Sequence, residues 1–151
     1  MMAKKLSMRA RFIPLVLLLT AAMLAAALKE ESLQELISRA ESARPEDRPS
    51  LYVDIMEHQL KDAEHLYHEG KVDEARSAIS DIVTYSDKAH DTAIAAPKKI
   101  KNTEIALRKI AAKLRDLRRT LNFEDQGPVQ AASEHLEQLR TDLLNHMFAK
   151  N

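Results

Sequence analysis

The chain has 151 residues, enough for one packed domain and too few for two ordinary ones. Lys plus Arg equals Asp plus Glu at 23 each, charged residues make up 30%, and there are two glycines and no cysteine. This composition suits helices and excludes an all-β sandwich, a disulfide framework, a thiol nucleophile, a thiolate zinc site and a glycine-rich phosphate cradle.

The N-terminus has the pattern of an export signal. Lys4, Lys5, Arg9 and Arg11 precede an uncharged run from Phe12 to Leu28, and Ala25, Ala26 and Ala27 supply a small-residue cleavage site. The expected organisation is a signal peptide over 1–27, cut after Ala27 with Ala25 as the second small residue. A short helix and linker over 28–48 and a helical bundle over 49–151 follow. The product is then periplasmic or secreted. The uncharged run of 17 residues is at the short limit for a spanning helix, so an uncleaved inner-membrane anchor is the alternative. Ala10 separates Arg9 from Arg11, which breaks a twin-arginine pair and points to export of an unfolded chain. Removing 1–27 leaves 19 cations against 23 acids, a net charge of −4.

Leu33, Leu36, Ile37 and Ala40 predict a short amphipathic helix, and Arg44-Pro45-Glu46-Asp47-Arg48-Pro49 reads as a linker into a helix that starts near Pro49. This second helix runs to about Glu69. Its apolar side holds Tyr52, Ile55 or Met56, Leu60, Ala63 and Leu66 or Tyr67, and Gly70 closes it in the left-handed position.

From residue 72 a heptad seam appears: Val72, Ala75, Ile79, Ile82, Ser86, Ala89, Ala93, Ala96, Ile100, Thr103, Leu107, Ile110, Leu114, Leu117 and Leu121, in alternating steps of three and four. Pro97 interrupts it, because proline lacks an amide hydrogen and disfavours the helical state of the residue before it. The chain either kinks, giving one long helix over 71–121 with shorter helices folded on its halves, or turns back, giving a four-helix bundle of about 49–69, 71–96, 98–121 and 128–149. The phase kept across Pro97 favours the kink, and the matched segment lengths favour the bundle. Both are all-α. Asn122 to Gly127 reads as a turn, Pro128 as the first helical position, and the last helix carries Val129, Ala132, Leu136, Leu139, Leu143 and Met147, with Phe148 as a terminal anchor.

Residues 60–82, LKDAEHLYHEGKVDEARSAISDI, resemble a single tetratricopeptide-type helical hairpin, with Ala63, Leu66, Gly70, Ala75 and Ile79 at that repeat's spacing. No second copy follows at that period, and Gln59 stands where the repeat has an aromatic. More broadly, LYVDIMEHQLKDAEHLYHEGKVDEARSAISDIVTYSDKA followed by KNTEIALRKIAAKLRDLRRTL resembles a family of exported all-helical bacterial proteins of unassigned function, over most of residues 51–148. That resemblance implies location and fold, and no active site.

Three constellations are candidates for function. His58, His65 and His68, with Asp62 four residues after His58, lie along the polar side of the second helix and could meet a transition metal; a solvated polar face is the plainer reading, and Val72 stands where an HExxH motif needs its second histidine. His90, His135 and His146 read as isolated surface residues. The second constellation is the segment from Lys98 to Arg119, with nine cations against Glu104 and Asp116. Within it Lys101, Arg108 and Arg115 are seven apart and Arg119 follows, a stripe suited to anionic lipid or glycan. No aromatic side chain interleaves it, so nucleic acid is not an expected partner. Asp54 to Glu74 holds seven acids against two cations, and the plainer reading is that the two segments face each other inside the bundle. The third is the seam itself, either core or an interface for self-association. No nucleophile signature, enzyme activity or cofactor is expected. The leading expectation is a non-catalytic protein-interaction or scaffold module of the bacterial envelope. A peripheral binder of anionic surface and a metal-binding bundle are the alternatives.

Overall fold

The computed structural model describes residues 31–149, so the expected signal segment and its Ala25 and Ala27 lie outside the described residues. Five α-helices follow in order: α1 (Leu33–Ser42), α2 (Arg48–His68), α3 (Val72–Ala95), α4 (Ile100–Thr120) and α5 (Gln126–Phe148). Short 3-10 turns, Pro97–Lys99 and Phe123–Asp125, precede α4 and α5, and there is no strand among the described residues. The all-α expectation holds. None of these helices is long and apolar enough to cross a membrane.

Each helix ends for a local reason. The α2 C-terminus is closed by Gly70 at φ +76°, and Gly70 N–H and Lys71 N–H donate to Tyr67 O at 3.1 Å and Leu66 O at 2.9 Å. These two bonds satisfy carbonyls that the last turn would leave unpaired. Asp73 and Glu74 sit in the first turn of α3, where acidic side chains meet the positive end of the helix. At the other end Ala96 leaves helical geometry at φ −123°, ψ 78°, and Pro97 opens the 3-10 turn where its missing amide is not needed.

The chain therefore turns back at Pro97, and the long kinked helix over 71–121 is not formed. The bundle is four-helical, but consecutive helices do not all sit side by side. The pairs α2–α3 and α4–α5 pack most extensively, α3 also packs on α5, and α2 on α4. Joined by the Pro97 turn, α3 and α4 face each other across the diagonal. The ring order is therefore α2, α3, α5, α4, formed by two antiparallel hairpins laid against each other so that α3 and α5 run parallel, as do α2 and α4. For α3 and α5 the direction is shown by the succession Arg76–Asp125, Asp87–His135 and His90–Asp142. For α2 and α4 it follows from the 45–47 linker beside Pro97 at one end and Tyr67 beside Leu117 and Leu121 at the other.

The heptad seam is core. Every seam residue from Ala75 to Ala93 and from Ile100 to Leu117 is buried, and Val129, Ala132, Leu136 and Leu143 of α5 join the same cluster. Both Ile55 and Met56 are buried on α2, so the apolar side there is wider than a single stripe. Small residues Ser86, Ala89 and Ala93 leave room for a neighbouring helix on the inner face of α3. Helix α1 lies on α2, burying Leu36 and Ala40, and Arg48 donates from its guanidinium to Ala43 O at 3.1 Å and Glu41 O at 3.4 Å near the end of α1. Two expectations need correction. Phe148 is 69% exposed and anchors nothing, and Gly127 and Pro128 lie within the first turn of α5, which starts two residues earlier than the proline implied.

Two glycine substitutions separate backbone from packing. A methyl at either Gly70 or Gly127 meets no atom within 4 Å. Gly70→Ala is expected to lower stability by about 1–2 kcal/mol through its positive φ, whereas Gly127→Ala, in a helix, raises it by about 0.5–1 kcal/mol. Urea unfolding followed by circular dichroism reads both signs. In the same assay Leu107→Ala or Leu114→Ala costs about 2–5 kcal/mol, while Phe148→Ala stays within about 0.5 kcal/mol.

Candidate functional site

The basic segment forms one corner of the bundle. Packing of Ile100, Leu107, Ile110, Leu114 and Leu117 inward turns Lys98, Lys101, Arg108, Lys109, Lys113 and Arg119 to solvent. The one exposed acid among them, Asp116, accepts a hydrogen bond from Arg119 at 3.1 Å. Of the stripe expected at Lys101, Arg108, Arg115 and Arg119, three residues are on this outer face. Arg115 is not. Its guanidinium turns toward α5 and donates to Glu137 at 3.0 Å.

Glu137 belongs to a network that joins α4 to α5. Arg140 donates to Glu104 at 2.7 Å and to Glu137 at 3.1 Å, and Arg108 lies 3.9 Å from Glu104. The side chain of Glu104 is only 8% exposed, so it is a buried carboxylate between two guanidinium groups. Burial pushes the Glu137 carboxyl up, but hydrogen bonds from Arg115 and Arg140, with their charges, outweigh it and hold the carboxyl below its ordinary value. Hydrogen bonds to Glu104 and Glu137 raise the Arg140 value in turn. This arrangement differs from the anticipated pairing of the basic segment with the acidic one. Much of the compensation comes from α5 and from α4 itself.

The acidic segment lies next to α4 all the same. One groove between α2 and α4 is lined by Asp54, Glu57, His58, Lys61 and Glu64 on one wall and Lys113 and Asp116 on the other. Glu57, Glu64, Lys109 and Lys113 are exposed, and none of the four is within 4 Å of an opposite charge among the described residues.

The histidines divide into two sets. On α2, His58 Nδ1 is 3.1 Å from Asp62, and His65 Nε2 is 3.2 Å from Glu69, while His68 is exposed. These are separate pairs along one helix. No group of three or more His, Asp or Glu side chains among the described residues is placed to hold a metal ion. The spacing of His90, His135 and His146 predicts isolated surface residues, whereas the fold brings them to the α3–α5 contact. His90 Nε2 is 2.7 Å from Asp142, His135 Nε2 is 2.7 Å from Asp87, and His146 Nδ1 is 3.5 Å from Asp142. Partners lie 48 to 52 residues apart for the first two, so no local pattern could have found them.

The Tyr67 hydroxyl is buried with no hydrogen-bond partner among the described residues. Burial pushes its ionisation up, Asp125 adds to this, and Arg76, 2.9 Å from Asp125, opposes it. Among the described residues no chain of hydrogen-bonded groups links this hydroxyl to a nucleophile or a second acid.

No protein-family model, curated protein or solved structure matches this chain.

Two measurements test the polar network. Arg140→Met leaves the Glu104 carboxylate without its closest partner and should lower stability by about 2 kcal/mol, whereas Arg119→Ala, in an exposed pair, changes it by less than about 0.5 kcal/mol. The second is acid unfolding. Because Glu137 is held below its ordinary value in the folded state, its contribution is complete above that value and is lost as pH falls through the lowered folded value. Glu137→Gln should therefore cost about 1 kcal/mol at neutral pH, a figure kept small because a third of the side chain is solvated, and should flatten the acid limb of the stability curve.

Proposed function

We propose that the protein is an exported, non-catalytic helical interaction module of the bacterial envelope. The observation that carries this reading is the separation of charge on a bundle whose seam is already filled. The segment 98–119 has nine cations and two acids, and the remainder of 28–151 has 10 cations and 21 acids. An inward-facing seam leaves recognition to the polar outer surface, and a field organised in this way orients an approaching partner before contact. The reading of the N-terminus as a signal rests on the cations and apolar run of residues 4–28. A second reading, adsorption to anionic envelope surface, is favoured by the exposed Lys101 and Lys109 on α4 and the exposed Lys98 in the turn before it. Metal binding through His58, Asp62, His65 and His68 has only the one close pair, His58 with Asp62, in its favour.

Cross-linking of the tagged full chain in intact bacterial cells, with mass spectrometry of the envelope fraction, tests the module reading. A reproducible protein neighbour joined through α2 or α4, on chains that begin near Leu28, is the expected result. Chains that retain Met1, with no neighbour above control and release from membranes by salt alone, would replace it with the surface-adsorbed reading.

A further inference from the structure

We propose that the α2–α4 face is the contact surface for a second copy of this chain, related to the first by a two-fold axis parallel to the bundle. The proposal rests on the interaction-module reading and names its partner.

A two-fold axis running along the groove between α2 and α4 preserves height and exchanges left for right. It therefore sets α2 of each copy against α4 of the other at the same level. At that level α2 presents mostly acids and α4 mostly bases: exposed Glu57 and Glu64 on α2 are set against exposed Lys109 and Lys113 on α4, with Lys61 and Asp116 the charges of opposite sign on the two walls, and the exchange forms each set of contacts twice. All four side chains are available, since none lies within 4 Å of an opposite charge among the described residues.

Size is consistent with a reversible dimer. A two-helix face about 30 Å long and about 20 Å wide offers on the order of 600 Å² per copy, or about 1,200 Å² in total, the lower edge of specific interfaces. The same charges argue for a second copy over an anionic bilayer. Outside 98–119 the exported part carries 21 acids against 10 cations, and a bilayer of the same sign repels that body, whereas a second copy presents an acidic stripe directly to α4.

The test is sedimentation of the full chain in neutral detergent, at low and high salt. Lys109→Glu with Lys113→Glu, and separately Glu57→Lys with Glu64→Lys, should each weaken self-association at least about tenfold, and combining all four changes should restore it to within about threefold. High salt should weaken the original and the restored dimer alike. All four positions are exposed, and circular dichroism melts are the check that each variant folds. A monomer at every concentration, or a dimer indifferent to both reversals, overturns the proposal, as does loss in both pairs without restoration in the combination. If the chain is monomeric and its sedimentation with phosphatidylglycerol vesicles is lost in the Lys109→Glu, Lys113→Glu variant, the face is a lipid-docking surface instead. A different protein still cross-linked in cells by the monomeric variants would keep the interaction-module reading while removing this one.

Discussion

Pro97 decides the architecture. The heptad phase runs unbroken through Ala93, Ala96, Ile100 and Thr103, so apolar periodicity alone would permit one rod. Proline removes one amide hydrogen and holds Ala96 at φ −123°, ψ 78°, where the helix cannot continue. Once the chain reverses, the two halves of the seam face a common interior and are covered there. Buried Ile82 and Leu114 then belong to one core rather than to two ends of a coiled-coil strip.

Apolar burial does not choose among the ways of arranging four helices, since each would hide the seam. The polar contacts discriminate. α5 is held to α4 by Arg115, Glu137, Arg140 and Glu104, and to α3 by Arg76–Asp125, Asp87–His135 and His90–Asp142. On the α2–α3 side, Gln59 donates to Asp81 at 2.9 Å, and Lys88 lies over the Tyr52 and Tyr85 rings at 5.8 and 5.1 Å. A different ring order would leave Glu104 buried without Arg140, at a cost well above that of losing an exposed pair. Among the described residues the α2–α4 edge has no comparable set of short cross-links, and Glu57, Glu64, Lys109 and Lys113 remain exposed there.

Much of the fold was legible because helix signals are local. The spacing of Tyr52, Leu60 and Ala63, the left-handed Gly70 and the inward face of Leu107 to Leu117 all follow from interactions within a few turns. The outcome at Pro97 was not legible, because kink and turn satisfy the same residue and differ only in distant packing. The site was less accessible still. Arg115 carries the same charge and seven-residue phase as Lys101 and Arg108, and only the position of Glu137, 22 residues away in sequence, turns it toward α5. His90 meets Asp142 and His135 meets Asp87 for the same reason. By contrast, His58 and Asp62 sit four residues apart on one helix, so their pairing could be read from the sequence.

The diagonal link between α3 and α4 also bears on the order in which the molecule closes. Contacts within α2–α3 and α4–α5 join segments separated by turns of only a few residues, so each hairpin forms with little loss of chain entropy. Contacts between hairpins span a whole hairpin of sequence. A chain synthesised N-terminus first presents α2 and α3 together before α4 has emerged. Until the second hairpin arrives, Ile79, Ile82 and Ala89 face water, and that interval is when an unfinished molecule is most exposed to capture or aggregation.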